Sequence, residues 1–273
     1  MKLNFNTSFD LLKKKVNYKV NYVYNKIISY IFNKIEKVCY GILKNGRGYF
    51  TIDLREKKYF DPFIKYIHKD YDSYLDTQKA KTSMRLKPLL EGKEEQEKQF
   101  WSTKERMKQI AEYSMEYFGE HVINGICHGT RTGAEQKMLQ DELPKGSYIF
   151  GTEIEPSAEK ITNTLIWDFH EIKKDWKNKF DLIYSNSHDQ AHDPEKAINN
   201  WIKSLKKGGL LFLEHSRSHG RLRANHIDPW GVETEILPWV LINWSKKSFY
   251  IYDCIQPIDV SLQSHKIFVI RKN

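Results

Sequence analysis

Apolar residues recur with different periods along the chain, and each period predicts a different element. Near the start, valine and isoleucine recur every three or four residues, which predicts an amphipathic helix. This stripe consists of Val16, Val20, Val23, Ile27, Ile31, Ile35, Val38 and Ile42. Residues 61–95 show no clear period, so we expect them to be irregular or to form short helices. A second apolar stripe predicts a helix over residues 103–118 that ends at a left-handed Gly119.

From residue 121 onward, apolar strands alternate with helices. Five candidate strands lie at residues 121–127, 147–154, 163–167, 180–186 and 210–216. Continuously apolar strands of this kind are typical of a parallel sheet that helices cover on both faces. Two further candidate strands, 249–255 and 266–271, are separated by a loop too short for a crossover helix and should pair antiparallel. The pattern predicts an α/β fold with a doubly wound, mostly parallel, seven-stranded sheet whose last strand is antiparallel.

Charge divides the chain into two regions. The net charge of the 273 residues is +9, and residues 1–60 alone hold 13 Lys or Arg against 4 Asp or Glu. We therefore predict a basic, mainly helical N-terminal extension over residues 1–99 and an α/β domain over residues 100–273. Two interpretations of the basic helix are open. It packs on its own domain or on another subunit of a homo-oligomer, which we favour, or it binds an anionic membrane surface or a polyanion.

Cysteine content and hydropathy narrow the class of protein. Cys39, Cys127 and Cys254 are widely spaced and odd in number, so they encode neither a disulfide framework nor a cysteine zinc site. No apolar run approaches the ~20 residues that a membrane-spanning helix needs. We therefore expect a cytoplasmic protein.

Ligands of open parallel sheets bind beyond the carboxyl ends of the strands, where the strand order reverses. The first candidate strand is followed by HGTRTG, residues 128–133. Its glycines, Gly129 and Gly133, allow close approach of a ligand, and the next helix offers its positive N-terminus. Glu153 follows 20 residues after Gly133, at the usual offset for an acid that binds ribose hydroxyls. Glu155 is the alternative ligand, and a solvated loop carboxylate is the alternative role.

Polar residues also follow the third, fourth and fifth strands. An acid at Asp168 suits an adenine amino group, and Trp167 either flanks that ring or packs in the core. Beyond the fourth and fifth strands we predict a general base, His188 or His215, that Asp189 orients; the alternative is that these are polar loop residues. The nitrogen and oxygen ligands His188, Asp189, His192 and Asp193 match no recognised spacing, so we predict no metal site.

These motifs together resemble a known family. GTRTG, GTEIEP, IWDF, FDLIYSNS and LKKGGLLFLE occur in the order and spacing of the class I S-adenosylmethionine-dependent methyltransferases. The resemblance covers about residues 100–273 and implies an enzyme with S-adenosylmethionine as its cofactor. By position it implies that His128, Gly129, Thr130, Arg131, Gly133, Glu153, Asp168, Ser185 and Asn186 bind that cofactor or border the methyl-transfer site.

Two residues depart from the family's pattern. The family usually has an acid where this chain has Cys127, and a glycine where it has Arg131. A guanidinium forks well onto a carboxylate, so Arg131 is a candidate partner for the methionine carboxylate of the cofactor.

The segment after the fifth strand suggests a class of acceptor. Arg217, His219, Arg221, Arg223, His226 and Trp230 are predicted to rim the acceptor pocket. They suit an acidic or phosphorylated acceptor, or a sugar stacked on Trp230; the alternative is a solvated loop with an anchoring tryptophan. We expect O-methylation of a small-molecule or glycan-like acceptor. The alternatives are an RNA methyltransferase, a non-catalytic nucleotide- or partner-binding protein and, least favoured because GxGxxG is missing, a nicotinamide-dependent oxidoreductase.

Overall fold

The computed structural model describes residues 49–50, 62–93, 101–119, 121–260 and 265–273. The chain divides into two compact units, Met1–Tyr49 and Phe50–Asn273, and the described helices and the main sheet belong to the second. The predicted N-terminal basic helix lies outside the described residues. The predicted domain boundary at residues 99 and 100 stays a prediction.

The described elements follow one another as strands and helices. The strands are β1 (Tyr49–Phe50), β2 (Phe63–Ile67), β3 (Asn124–His128), β4 (Tyr148–Glu153), β5 (Thr164–Ile166), β6 (Phe180–Ser185), β7 (Leu205–His215), β8 (Trp230–Val232), β9 (Phe249–Ile255) and β10 (Lys266–Lys272). The α-helices are α1 (Tyr71–Leu90), α2 (Lys104–Phe118), α3 (Ala134–Glu142), α4 (Pro194–Ser204) and α5 (Leu237–Ser245). Short 3₁₀ helices cover Pro156–Lys160, Lys174–Trp176, His188–Gln190, Arg217–His219 and Arg221–Arg223.

The predicted seven-stranded sheet is confirmed. Its strand order is β5-β4-β3-β6-β7-β10-β9. The first five strands are parallel, and β10 runs antiparallel to both of its neighbours. The chain builds outward from β3 to β5 and then returns to place β6 on the other side of β3. The strand order therefore reverses at β3, and the crevice at its carboxyl end is the expected ligand site.

Helices bury both faces of this sheet. Neighbouring residues on β6 alternate between the two sides: Leu182 packs in a cluster with Met107 of α2 and Leu139 of α3. Ile183 packs in the opposite cluster, which includes Trp201 of α4. Because both sides of the strand are covered, its sequence is continuously apolar. This is why the apolar run predicted the strand correctly.

Residues 61–95, expected to be irregular or short-helical, instead contain the 20-residue helix α1. It begins at Asp70, whose side chain accepts the Ser73 amide at 2.8 Å. Its buried residues are Tyr74, Gln78, Lys81, Thr82 and Leu86. Most of that buried face is polar, so apolar periodicity was a poor guide to it.

Two smaller features complete the fold. The helix α2 ends before Gly119 as predicted, but Gly119 combines φ +77° with ψ −172° and is not in the left-handed helical conformation. Strand β2 pairs antiparallel with β8, outside the main sheet. Among the described helices, none has the length and apolar character needed to cross a membrane.

Candidate active site

The glycine turn after β3 adopts the conformation that its sequence requires. Gly129 and Gly133 have φ of +70° and +74°, a region that glycine enters without strain. A Cβ atom on Gly129 would lie 2.6 Å from the Cβ atom of Ser187. The amides of Gly129 and Thr130 donate to the Thr152 carbonyl at 3.0 and 3.2 Å. The turn is therefore held tightly between the carboxyl ends of β3, β4 and β6.

The structure gives different roles to the two glutamates near the end of β4, Glu153 and Glu155. Glu153 is buried and lines a cleft at the carboxyl end of the sheet. Its Oε2 accepts the Arg131 amide at 3.0 Å and its Oε1 accepts the Ile154 amide at 2.8 Å, while burial raises the pKa of this carboxyl group. Glu155 accepts the Ser157 amide at 3.3 Å and caps the following 3₁₀ helix. Glu153 is thus the better placed of the two for a ligand.

Helix α1 supplies one wall of this cleft. The described lining residues are Tyr74, Gln78, Thr82, Gly129, Glu153, Ile154, Trp167, Asp168, Phe169 and Gln190. The empty space, counted to the open mouth, is about 340 Å³. Thr82 Oγ1 lies 3.4 Å from Glu153 Oε1, and the Tyr71 hydroxyl donates to Asp168. The polar face of α1 is therefore buried against the two acids expected to bind a nucleoside.

Asp168 remains a carboxylate in this setting. Burial raises its pKa, but hydrogen bonds from His170 and Tyr71 outweigh that effect and lower the pKa to about 2. The Oδ1–Nδ1 distance between Asp168 and His170 is 2.7 Å. Trp167 lines the cleft and also packs against the edge of the core. A place beside the adenine ring stays a prediction for this residue.

A third acid, Glu135, was missed by the sequence analysis. It lies in the first turn of α3 and is only 7 % exposed. Burial raises its pKa to about 7, although the charge of Arg131 and the side chain of Asn186 act in the opposite direction. Its Oε2 has no hydrogen-bond partner within the described part of the chain. Burial raises the pKa of the Cys127 thiol, and the charge of Glu135 adds to this effect, so the two side chains lie within electrostatic reach of each other. The signal that could have identified Glu135 in the sequence is its place just after the glycine turn, two residues beyond Gly133.

Arg131 takes a conformation that explains the glycine of the resembled family. Its φ is +50°, in the left-handed region that costs a residue with a side chain about 1–2 kcal/mol. The bond from its amide to Glu153 helps to hold this backbone in place.

A second pocket opens beyond the carboxyl ends of β6 and β7. Its described lining consists of Trp101, Asn186, Glu214, Ser216, Arg217, Ser218, His219 and His265. Its empty space is about 580 Å³, again counted to the mouth. It contains Asn186, which was predicted to border the methyl-transfer site, and two of the predicted rim residues, Arg217 and His219.

A buried ion pair forms part of the wall of this second pocket. Glu214 pairs with Arg106, which also contacts Asp259 at 2.7 Å. The Tyr184 hydroxyl donates to Glu214 at 2.6 Å, and His265 Nε2 lies 2.9 Å from it. Burial raises the pKa of Glu214, but these hydrogen bonds and the Arg106 charge outweigh it and lower the pKa.

Comparison with solved structures identifies the fold of this chain. No protein-family model and no curated protein matches the sequence. The 1,6-didemethyltoxoflavin-N1-methyltransferase of Burkholderia thailandensis, solved with 1,6-didemethyltoxoflavin and S-adenosylhomocysteine, matches with a TM-score of 0.51. The two sequences are 16 % identical, and the match covers 84 % of this chain and 100 % of that one. This chain has the class I methyltransferase fold.

A further methyltransferase structure matches less closely. The N-methyltransferase NodS from Bradyrhizobium japonicum WM9 is 20 % identical, with a TM-score of 0.45. The match covers 62 % of this chain and 94 % of that one.

Within this methyltransferase fold, two predicted cofactor residues lie beneath the glycine turn. The His128 ring stacks on Trp201 with centroids 5.0 Å apart, and its Nδ1 lies 2.8 Å from Thr152 Oγ1. Burial lowers the pKa of His128 to about 3, so the ring is neutral. The Ser185 hydroxyl donates to the His128 carbonyl at 3.2 Å and accepts the Ser187 amide at 3.1 Å. Both side chains brace the turn, and neither is among the described residues that line the cleft. Their part in the cofactor site stays a prediction.

The predicted general-base residues meet at the ends of β6 and β7, in a different arrangement from the expected one. His188 Nε2 lies 2.9 Å from His215 Nδ1, and both rings are fully buried. Burial lowers the pKa of both histidines well below the usual value. Asp189 Oδ2 lies 3.9 Å from Nε2 of a different histidine, His219, and burial raises the pKa of Asp189 to about 6.

Trp230 and the residues weighed as metal ligands have other contacts. Trp230, a predicted sugar platform, is buried between Phe63 and Trp244, and its indole donates to the His188 carbonyl. It is the anchoring tryptophan of the alternative interpretation. The residues weighed as metal ligands also have separate contacts: His192 packs on Tyr74, at 5.2 Å between ring centroids. Asp193 accepts the Lys196 amide at 3.0 Å and caps α4.

Proposed function

We propose that this chain is an S-adenosylmethionine-dependent methyltransferase with a small-molecule acceptor. One observation carries the proposal. The tight glycine turn after β3 and the buried carboxylate of Glu153 lie side by side where the strand order reverses, next to a cleft. This is the place and the chemistry with which doubly wound sheets bind a nucleoside. The fold shared with the Burkholderia enzyme supports the same conclusion.

The residues of the cleft fit an adenosine. Glu153 has lone pairs for two ribose hydroxyls, and Asp168, kept ionised, suits an adenine amino group. Thr82 and Tyr71 of α1 now donate to these two acids. We infer that the nucleoside replaces those two bonds, so that α1 shifts when the cofactor binds.

Glu135 fits the other end of the cofactor. A methionine has an ammonium and a carboxylate, and Cys127 supplies no charge for either. Glu135, buried and with Oε2 unpartnered among the described atoms, suits the ammonium, and Arg131 suits the carboxylate. We infer that Glu135 takes over the role of the acid missing at Cys127.

The second pocket suits the acceptor. S-adenosylmethionine supplies a methyl group on a positively charged sulfur, so transfer needs chiefly an aligned nucleophile. Asn186 lines this pocket, and Arg217 and His219 suit an acceptor with an acidic or hydroxyl group. We propose O-methylation, with the cytoplasm as the compartment. The base role of His188 or His215 stays a prediction.

Calorimetric titration with S-adenosylmethionine, S-adenosylhomocysteine and NAD tests the cofactor. We expect the first two to bind in the micromolar range and Glu153→Gln to weaken both by about tenfold or more, because hydrogen bonds to a charged group contribute about 1.5–3 kcal/mol. Glu155→Gln is the matched control and should bind as the wild type does. Binding of NAD alone, or of none of the three, would overturn the proposal.

Release of S-adenosylhomocysteine tests the transfer itself. The purified protein is incubated with S-adenosylmethionine and with panels of phenols, sugars, carboxylic acids and amines. We expect turnover with a hydroxyl compound. Cofactor binding without release of S-adenosylhomocysteine in any panel would favour the non-catalytic binding protein. Release with short RNA as the one active acceptor would favour an RNA methyltransferase.

A further inference from the structure

Three histidines converge where β6 and β7 end. His188 follows β6, His215 is the last residue of β7, and His219 lies in the next 3₁₀ helix. One ring nitrogen from each lies within 4.8 Å of the others. The three ring centroids are 4.8 to 5.1 Å apart. His188 precedes His215 by 27 residues and His219 by 31, and the fold brings the three rings together.

Polar atoms at this point lack partners. His188 Nδ1 and Asp189 Oδ1 are buried without a hydrogen bond to any described residue. His188 is 1 % exposed and Asp189 7 %. Buried polar atoms are nearly always paired, so such atoms beside a histidine cluster indicate a group that the described residues do not supply.

We propose that His188, His215 and His219 bind one divalent transition-metal ion, for which Zn²⁺ is the probe. Imidazole nitrogen is a preferred ligand of Zn²⁺ and of neighbouring first-row ions, and three histidines with an open fourth position form a common catalytic site. Asp189, next to His219, supplies the carboxylate that commonly orients a metal-bound histidine.

The geometry requires a modest rearrangement. Nitrogens around a tetrahedral ion with bonds of about 2.0–2.1 Å lie about 3.3 Å apart. His188 and His215 are already closer than this, at 2.9 Å, and exchange their hydrogen bond for the ion. His219 Nδ1 now accepts the Ser216 amide at 2.8 Å, and its Nε2 faces Asp189, so its ring gives up one of these contacts. The His219 side chain is 13 % exposed and borders the second pocket, which leaves it room to turn.

The consequence for catalysis rests on the proposed function. Since His219 lines the second pocket, an ion held by it would reach an acceptor hydroxyl there and make its proton easier to remove. His188 and His215 would then act as ligands and not as proton acceptors. The metal site itself is tested without cofactor or acceptor, so its failure is distinguishable from failure of the methyltransferase proposal.

The test is metal binding by the full chain. Protein freed of metal by chelator and dialysis is titrated with Zn²⁺ against a chromophoric competitor. We expect one equivalent to bind with a dissociation constant below about 1 µM. Titration with Co²⁺ should give the visible absorption of a four-coordinate nitrogen site, a readout that needs no variant. Absence of stoichiometric binding would overturn the proposal.

Variants identify the ligands. His219→Gln, at the partly exposed position, should weaken Zn²⁺ binding by at least about tenfold while the protein stays folded. His188→Gln and His215→Gln should do the same where circular dichroism shows a native fold. His226→Gln, an exposed histidine outside the cluster, is the control and should leave binding unchanged. One equivalent of Zn²⁺ that binds equally well to His219→Gln and to the wild type would also overturn the assignment.

Discussion

The substitution Glu135→Gln should stabilise the free protein at alkaline pH and weaken its binding of S-adenosylhomocysteine. Glutamine keeps the size of the side chain and removes its charge. In the free protein that charge is buried, and one of its oxygens has no partner among the described residues. In the complex we propose that it pairs with the ligand's ammonium. Stability and affinity should therefore change in opposite directions.

The magnitude follows from the pKa. Folding raises the pKa of Glu135 from 4.5 to about 7. A carboxyl group with a raised pKa contributes its full stability below about pH 4.5 and loses it as pH rises through about 7. At 1.36 kcal/mol per pKa unit, the wild type loses about 3 kcal/mol over this range that the variant retains. Loss of a charge-assisted hydrogen bond should weaken ligand binding by about 1.5–3 kcal/mol, or roughly 10- to 150-fold.

Urea unfolding of both proteins from pH 5 to 8.5 measures the first effect, because contributions shared by the two proteins cancel in the difference. Calorimetry at pH 8 measures the second. Asp141→Asn, on the same helix and 54 % exposed, is the control and should show neither effect. The ligand control is 5′-methylthioadenosine, which lacks the amino-acid end and should bind equally to wild type and Glu135→Gln.

Two results would refute the reasoning in different ways. A stability difference that is the same at pH 5 and pH 8.5 would mean that Glu135 is not desolvated. A pH-dependent difference without any change in S-adenosylhomocysteine affinity would make Glu135 a buried structural acid. Glu135 would then not replace the acid that is missing at Cys127.

Two further substitutions test the scaffold of the site by urea unfolding. Gly129→Ala should lower the free energy of unfolding by about 1–2 kcal/mol because alanine is strained at this positive φ, and by a further ~1–3 kcal/mol because its Cβ atom clashes with Ser187. Gly92→Ala, at a similar φ of +67° but in open space, should lose only the stability that the strain costs. Equal losses of stability at both sites would contradict the clash. Arg106→Met should lower the free energy of unfolding by about 3–5 kcal/mol, because it removes the buried guanidinium that neutralises the charge of Glu214. Lys108→Met, at an exposed ion pair, should change it by less than about 0.5 kcal/mol, and a similar change for Arg106→Met would show that its pair adds little.

Several parts of the site were predictable because their chemistry is local in sequence. The strands were recognisable because a doubly covered parallel sheet demands continuous apolar runs. Gly129 was recognisable because a tight turn between a strand and a helix needs a residue without a side chain. The position of Glu153 followed from its distance along the chain, since one strand–helix–strand unit sets that spacing.

The placement of α1 depended on what packs against it. Its buried face contains Tyr74, Gln78 and Thr82, and polar side chains of this kind are buried only because the cleft offers them partners. Hydropathy reports the average cost of burial, so it misses a helix whose partners are the polar groups of a site.

By itself, the sequence determined the order of the strands along the chain, the position of the glycine turn and the residues at each strand end. Only the tertiary structure decided which of those residues meet. It buried Trp230 and His128, brought Glu135 close to Cys127, and joined His188 to His215 and His219. The physical reason is that periodicity and turn chemistry act between near neighbours, whereas convergence depends on how the sheet stacks segments that are far apart in sequence.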